Sequence, residues 1–130
     1  MILVDTSVWI DYFNGRDTVK TNLLDAALTH DVVIMGDLIL LEILQGFKSN
    51  KDYELAKDTL LLLPQRMLLN QELALLGAQN FRYLRKKGVT VRKVNDVIIA
   101  TYCIKKNLPL LFSDKDFEPF VQYLHLQSVE

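Results

Sequence analysis

Met1-Ile2-Leu3-Val4-Asp5-Thr6-Ser7-Val8-Trp9-Ile10 is the stretch on which the reading of the fold turns. A run of four apolar residues gives way to an acid and two hydroxyl residues, after which apolar residues resume. A short apolar run that meets helix-start chemistry reads as a buried strand feeding a helix, with Thr6 or Ser7 able to cap the first turn. Val8 to Phe13 suits that helix, and Asn14-Gly15 ends it.

The same alternation continues along the chain. Asp17-Thr18 starts a helix through Leu28, and Asp31 to Met35 is β-branched and short enough for a strand. Gly36-Asp37 punctuates before Leu38 to Phe47, a helix that is apolar almost all round. Asn50 or Asp52 begins a helix that runs to Leu63 and stops at Pro64. Met67 to Leu69 reads as a brief strand, and Asn70 caps a long helix that ends at Gly88. Val94-Asn95-Asp96 opens a further helix, Val97 to Lys106. Leu110 to Phe112 reads as a strand, Ser113 to Asp116 turns into a short helix, and Val121 to Leu126 is expected to add an edge strand. Short apolar runs alternating with helices predict an α/β fold with a mainly parallel central sheet flanked by helices. With no repeat and no linker, the 130 residues are expected to form a single domain over residues 1–130.

Composition narrows the function classes. Hydrophobic residues make up 50% of the chain and charged residues 24%, which excludes disordered and collagen-like chains. The single cysteine, Cys103, forms no internal disulfide, and no Cys/His cluster exists to hold zinc. Asp5 interrupts the N-terminal apolar run before it reaches signal-peptide length, and no stretch approaches the ~18 apolar residues of a membrane span. A soluble, cytoplasmic protein with no membrane partner is expected. The net charge of -1 conceals an asymmetry, because residues 82–93 hold six cations (Arg82, Arg85, Lys86, Lys87, Arg92 and Lys93) and no anion. Arg92, Lys93 and Arg85 are candidates for phosphate contact, although Arg85 to Lys87 equally suit the carbonyl end of a helix.

Three acids stand in apolar surroundings: Asp5, Glu42 within Leu-Ile-Leu-Leu-Glu-Ile-Leu, and Asp96 within Val-Asn-Asp-Val-Ile-Ile-Ala. A buried, ionised carboxylate must be protonated, paired or bound to a metal. In a parallel α/β sheet the ligand crevice lies at the carboxyl ends of the strands. Asp5 ends the first strand and Asp114 follows the strand 110–112. Asp96 starts a helix, and Glu42 lies about a turn and a half into one. All four therefore converge on that edge. Taken singly, Asp96 and Asp114 also suit helix caps or first-turn acids, Asp5 a turn, and Glu42 a rim position. Together they repel one another unless a cation lies between them, and oxygen ligands alone select Mg²⁺ or Mn²⁺. Metal-assisted hydrolysis of a phosphodiester is the reaction such a nest serves.

These residues resemble the motifs of the PIN-domain family, and within it the VapC-type toxin ribonucleases of bacterial toxin–antitoxin pairs. Val4 to Ile10 resembles the first strand and first acid, and Glu42-Ile-Leu-Gln-Gly46 the second motif. Asn95-Asp96-Val-Ile-Ile-Ala100 resembles the third motif, and Leu111-Phe-Ser-Asp114-Lys-Asp116-Phe117 the fourth. The resemblance implies a PIN-like three-layer fold and a Mg²⁺-dependent endoribonuclease, with Mn²⁺ as an alternative ion. It also implies Asp5 and Asp96 as principal metal ligands, Glu42 and Asp114 as completing acids, and Asp116 as a fifth member. Ser7 or Thr6 would orient Asp5 or a water. A cognate antitoxin and a homodimer are the implied partners; the Leu-rich helices 38–47 and 55–63 suit such contacts and equally suit the core of a monomer. A PIN-like RNA-binding or adaptor module without turnover is the alternative. A dehalogenase-type phosphatase fits less well, because it wants Asp-x-Asp where Ser7 stands, and the acidic pair of a receiver domain is missing.

Overall fold

Strand β1 (Ile2–Val4) is buried along its whole length in the computed structural model, which describes residues 1–130. It lies inside a four-stranded parallel sheet in the order β3-β2-β1-β4, with β2 at Val33–Gly36, β3 at Gln65–Arg66 and β4 at Leu110–Leu111. Ile2 pairs with Val33 and Leu3 with Ile34 on one side; Leu3 pairs with Leu110 and Val4 with Leu111 on the other. Strands buried on both faces need side chains without polar groups, which is why these segments are runs of Ile, Leu and Val rather than alternating patterns.

Helices flank the sheet in two groups. The first comprises α1 (Thr6–Phe13), α2 (Val19–His30), α3 (Asp37–Leu44) and α4 (Asn50–Leu60), with α1 against α2 and α3, and α3 against α4. The second comprises α5 (Gln71–Lys86), α6 (Val94–Lys106) and α7 (Glu118–Leu124), with α5 against α6 and α7. A 3-10 turn at Lys115–Phe117 leads into α7. No helix is long and apolar enough to cross a membrane.

Local chemistry explains most boundaries. Thr18 and Thr21 form a reciprocal capping box on α2, and Ser49 and Asn70 cap α4 and α5 through their side chains. Asn107 ends α6 in the left-handed conformation, at φ 52°. The cap of α1 differs from the sequence expectation. Asp5 takes that role, accepting from the Ser7 N–H, and the helix already begins at Thr6.

Two expected strands are corrected. The strand beside β2 is Gln65–Arg66, not 67–69. Its register is set by the Met35 N–H donating to the Pro64 carbonyl at 2.9 Å, and the Leu68 N–H is taken by the Asp37 carboxylate at 3.0 Å. Leu68 then turns inward over Gly36, where an added Cβ would lie 2.4 Å from its Cδ1. Residues 121–126 are largely helical: Pro119 sits in the first turn of α7, and Phe120 is fully buried. The edge pairing comes a few residues later, where the Leu110 N–H donates to the Gln127 carbonyl and the Val129 N–H to the Leu110 carbonyl.

Candidate active site

The carboxyl edge of β1 and β4 gathers the acids. The Asp5 N–H donates to the Leu111 carbonyl at 2.9 Å, so strand pairing continues one residue past β1 and delivers the Asp5 side chain to the end of the sheet. Asp5 is buried at 5% exposure, and its Oδ2 accepts from the Ser7 hydroxyl at 2.9 Å. Burial pushes its carboxyl up and the Glu42 charge adds to that, while the Ser7 and Thr6 donors oppose it.

Glu42 arrives from α3, which starts directly after β2. Both of its oxygens are occupied by neutral donors: Oε1 accepts from the Thr6 hydroxyl at 2.8 Å and Oε2 from the Asn95 amide at 3.1 Å. The two hydroxyls that follow Asp5 therefore divide their work. Ser7 holds Asp5, whereas Thr6 reaches across to Glu42. Asn95 is a contributor that the sequence reading left without a role; its only signal there is an amide beside Asp96 in a motif otherwise apolar.

Asp96 reaches the same edge by a different route from the one expected. Its helix follows α5 rather than a strand, and it then leads back into β4, so its first turn lies at the carboxyl end of that strand. Asp96 is a first-turn acid and not the cap, a position held by Lys93 with no side-chain bond. It is 6% exposed, and its Oδ2 is buried without any hydrogen-bond partner. Burial, then the charges of Asp5, Asp114 and Asp116, push its carboxyl up to about 6 against the opposing pull of Lys93.

Asp114 caps the 3-10 turn by accepting from the Asp116 N–H at 2.9 Å. Carboxylate oxygens of Asp96, Asp114 and Asp116 lie within 4.8 Å of one another, which places Asp116 inside the cluster. Arg92 and Lys93 are not free at this edge. Arg92 Nη2 stands 3.3 Å from both oxygens of Asp116, and Lys93 Nζ 3.6 Å from Asp114. Arg85 lies apart in the last turn of α5, its guanidinium over the Phe81 ring at 5.6 Å.

Three carboxylates that share so small a volume, one of them with a buried and unsatisfied oxygen, fit a hard divalent cation. No His or Cys takes part, so the donor set is oxygen alone.

The sequence profile of the PIN domain matches residues 2–120. The chain belongs to the PIN domain family. Among curated proteins it is 29% identical over 133 residues to VapC ribonuclease Mb1587 of Mycobacterium bovis, with 98% of this chain and 97% of that protein covered. Ribonuclease VapC11 of Mycobacterium tuberculosis matches with the same identity and coverage. Among solved structures, VapBC2 from Rickettsia felis bound to a promoter DNA fragment superposes with a TM-score of 0.78 at 19% identity, covering 99% of this chain and 98% of the other. That likeness establishes the PIN-like α/β architecture.

Proposed function

We propose that this protein is a metal-dependent endoribonuclease, the toxin of a VapBC-type toxin–antitoxin pair, which hydrolyses RNA phosphodiesters in the cytoplasm. The observation that carries the reading is the unsatisfied oxygen of buried Asp96 within 4.8 Å of two further carboxylates. The names of the curated relatives point to the same chemistry.

Asp96, Asp114 and Asp116 would hold Mg²⁺ or Mn²⁺, with Asp5 as the ligand that the first sequence motif implies. When bound, such an ion supplies positive charge against the phosphoryl oxygens and makes a neighbouring water more acidic. The remaining roles belong to the chain. Ser7 locks the Asp5 carboxylate toward the nest. Thr6 and Asn95 hold Glu42 by both oxygens, fixing a carboxylate that can accept the proton of the attacking water. None of these roles needs the RNA 2′-hydroxyl, so preference for RNA over DNA lies in binding.

Exposed Ile10 and Leu55 border cavities walled by Phe13, Asn14 and Phe47 between α1, α3 and α4. This surface suits an antitoxin segment, and it includes the Leu-rich helices singled out in the sequence. Exposed Leu61, Leu62 and Met67 beside β3 offer a second copy of the chain a contact for a homodimer.

Purified protein should cleave RNA with Mg²⁺ or Mn²⁺ and stop on addition of EDTA. Cleavage that persists without metal would overturn the mechanism. RNA binding without turnover at any metal concentration would favour the silent adaptor module instead.

A further inference from the structure

Arg92 and Lys93 stand between the acidic cluster and a groove lined by α5 and α6. On one side are the acids: Arg92 bridges both oxygens of Asp116, and Lys93 lies against Asp114. On the other is a groove of about 530 Å³ between α5 and α6, floored by Leu73, Gly77, Val97 and Ile98, with Arg82 and Arg92 among its lining residues. Arg92 thus belongs to both. The two cationic side chains are 77% and 63% exposed, and ion pairs so open to water yield readily to a competing charge. Asp96, buried in the same nest, keeps an oxygen that neither cation reaches. The nest therefore carries more negative charge than these side chains neutralise.

We infer that Arg92 and Lys93 are exchangeable counter-ions, which neutralise Asp116 and Asp114 until a divalent ion enters the nest and are then released to the phosphates of an RNA strand along the α5–α6 groove. This rests on reading the acidic cluster as a metal-dependent nuclease site. A dication among the carboxylates repels the guanidinium and ammonium groups from the oxygens they now occupy, since like charges at such separations oppose each other strongly. Both side chains are anchored just ahead of α6, so once released they remain at the edge of the groove. Arg82 and Arg92 line the groove and Lys93 follows directly, within a segment, residues 82–93, that holds six cations and no anion, so positive charge rims it where a phosphodiester chain would pass. Phe81 and the guanidinium groups of Arg82 and Arg92, among its lining residues, are the groups on which an unstacked base would pack. Binding of ion and RNA would then be positively coupled, each strengthening the other by the same factor.

Calorimetry with Mn²⁺ in the absence of RNA tests the first half. Arg92→Ala and Lys93→Ala should each bind Mn²⁺ about two- to fivefold more tightly than the natural protein, by loss of a competing cation. Arg92→Lys should retain the original affinity. The second half is read by fluorescence anisotropy of a labelled single-stranded oligoribonucleotide with Ca²⁺ at constant ionic strength, its intactness checked on a gel. The ion should raise RNA affinity in the natural protein, and Arg82→Ala, Arg92→Ala and Lys93→Ala should each lower it. Unchanged or weaker Mn²⁺ binding in both alanine variants overturns the exchange. Unchanged RNA affinity in Arg82→Ala removes RNA from the groove and leaves that surface to a protein segment. A natural protein that binds no Mn²⁺ at all defeats the nuclease reading itself, whereas normal binding with indifferent variants defeats only the counter-ion role.

Discussion

Two groups of carboxylates meet at one edge of the sheet, and they are held in opposite ways. Asp5 and Glu42 are gripped by neutral donors from the chain: Ser7 on the first, Thr6 and Asn95 on the second. Asp96 has an oxygen with no donor, while Asp116 and Asp114 are paired with the exposed cations Arg92 and Lys93, Asp114 also accepting from the Asp116 N–H. Neutral donors fix the direction of a carboxylate without cancelling its charge. Exposed cations cancel charge while fixing little. One half of the site is therefore preorganised, and the other is left open to a ligand.

Removing the ligand or its central oxygen should have the largest effect. EDTA, or Asp96→Asn, is expected to lower RNA cleavage by more than about 10³-fold with an unchanged circular dichroism spectrum. Full activity in Asp96→Asn would erase the distinction between the halves. On the preorganised side the effects should be graded. Glu42→Gln is expected to cost about 10²-fold or more in kcat, through loss of a proton acceptor. Asn95→Ala, which leaves the acid in place but loosens it, should cost between about 10- and 100-fold in kcat with KM little changed. A raised KM with kcat unchanged for Asn95→Ala would make it a substrate contact rather than a positioning residue.

The open half should also be visible in stability. Without an ion, the Asp96 carboxyl lies at about 6 against an ordinary 3.8, so between those values the folded chain keeps a proton that the unfolded chain has released. Its contribution is therefore most favourable below the lower value and is lost as pH rises through the upper one. The loss is limited to about 3 kcal/mol by the size of the displacement. Relative to Asp96→Asn, the ion-free protein should show a urea midpoint that declines from about pH 4 to 7, and Mg²⁺ should restore it by binding the ionised form. A difference that grows in the other direction would contradict the burial of that acid. The smallest change expected is Ser7→Ala, worth about 1 kcal/mol or less of stability, with a few-fold fall in cleavage. Comparison of its urea midpoint and its rate with those of the natural protein would show whether Asp5 needs its clamp.

Much of the site was legible because an acid inside an apolar run is conspicuous. Asp5, Glu42 and Asp96 declared themselves in that way, and Asp114 by its place after a strand. Asp116, with polar neighbours, had no such contrast, and only the 3-10 turn that folds it back beside Asp114 brings it into the cluster. The ion pairs of Arg92 and Lys93 were hidden for a similar reason: they join residues more than twenty positions apart across two loops. The misplaced strands at 67–69 and 121–126 show the limit of short apolar runs, which suit strand, helix or buried coil alike until a partner chooses among them. Leu68 is buried by its fit over Gly36, and Phe120 by its fully enclosed position in α7.

By itself, the sequence determined the alternation of short strands with helices and the mainly parallel sheet, and it marked Asp5, Glu42, Asp96 and Asp114 as candidates, because these depend on hydrophobic period and on side-chain chemistry within a few residues. Tertiary structure alone decided which oxygens share a volume, which hydroxyl serves which carboxylate and which cations face the acids. Those relations are set by sheet register and by the return of α6 toward β4, and distances of a few ångströms between remote segments leave no local mark on the chain.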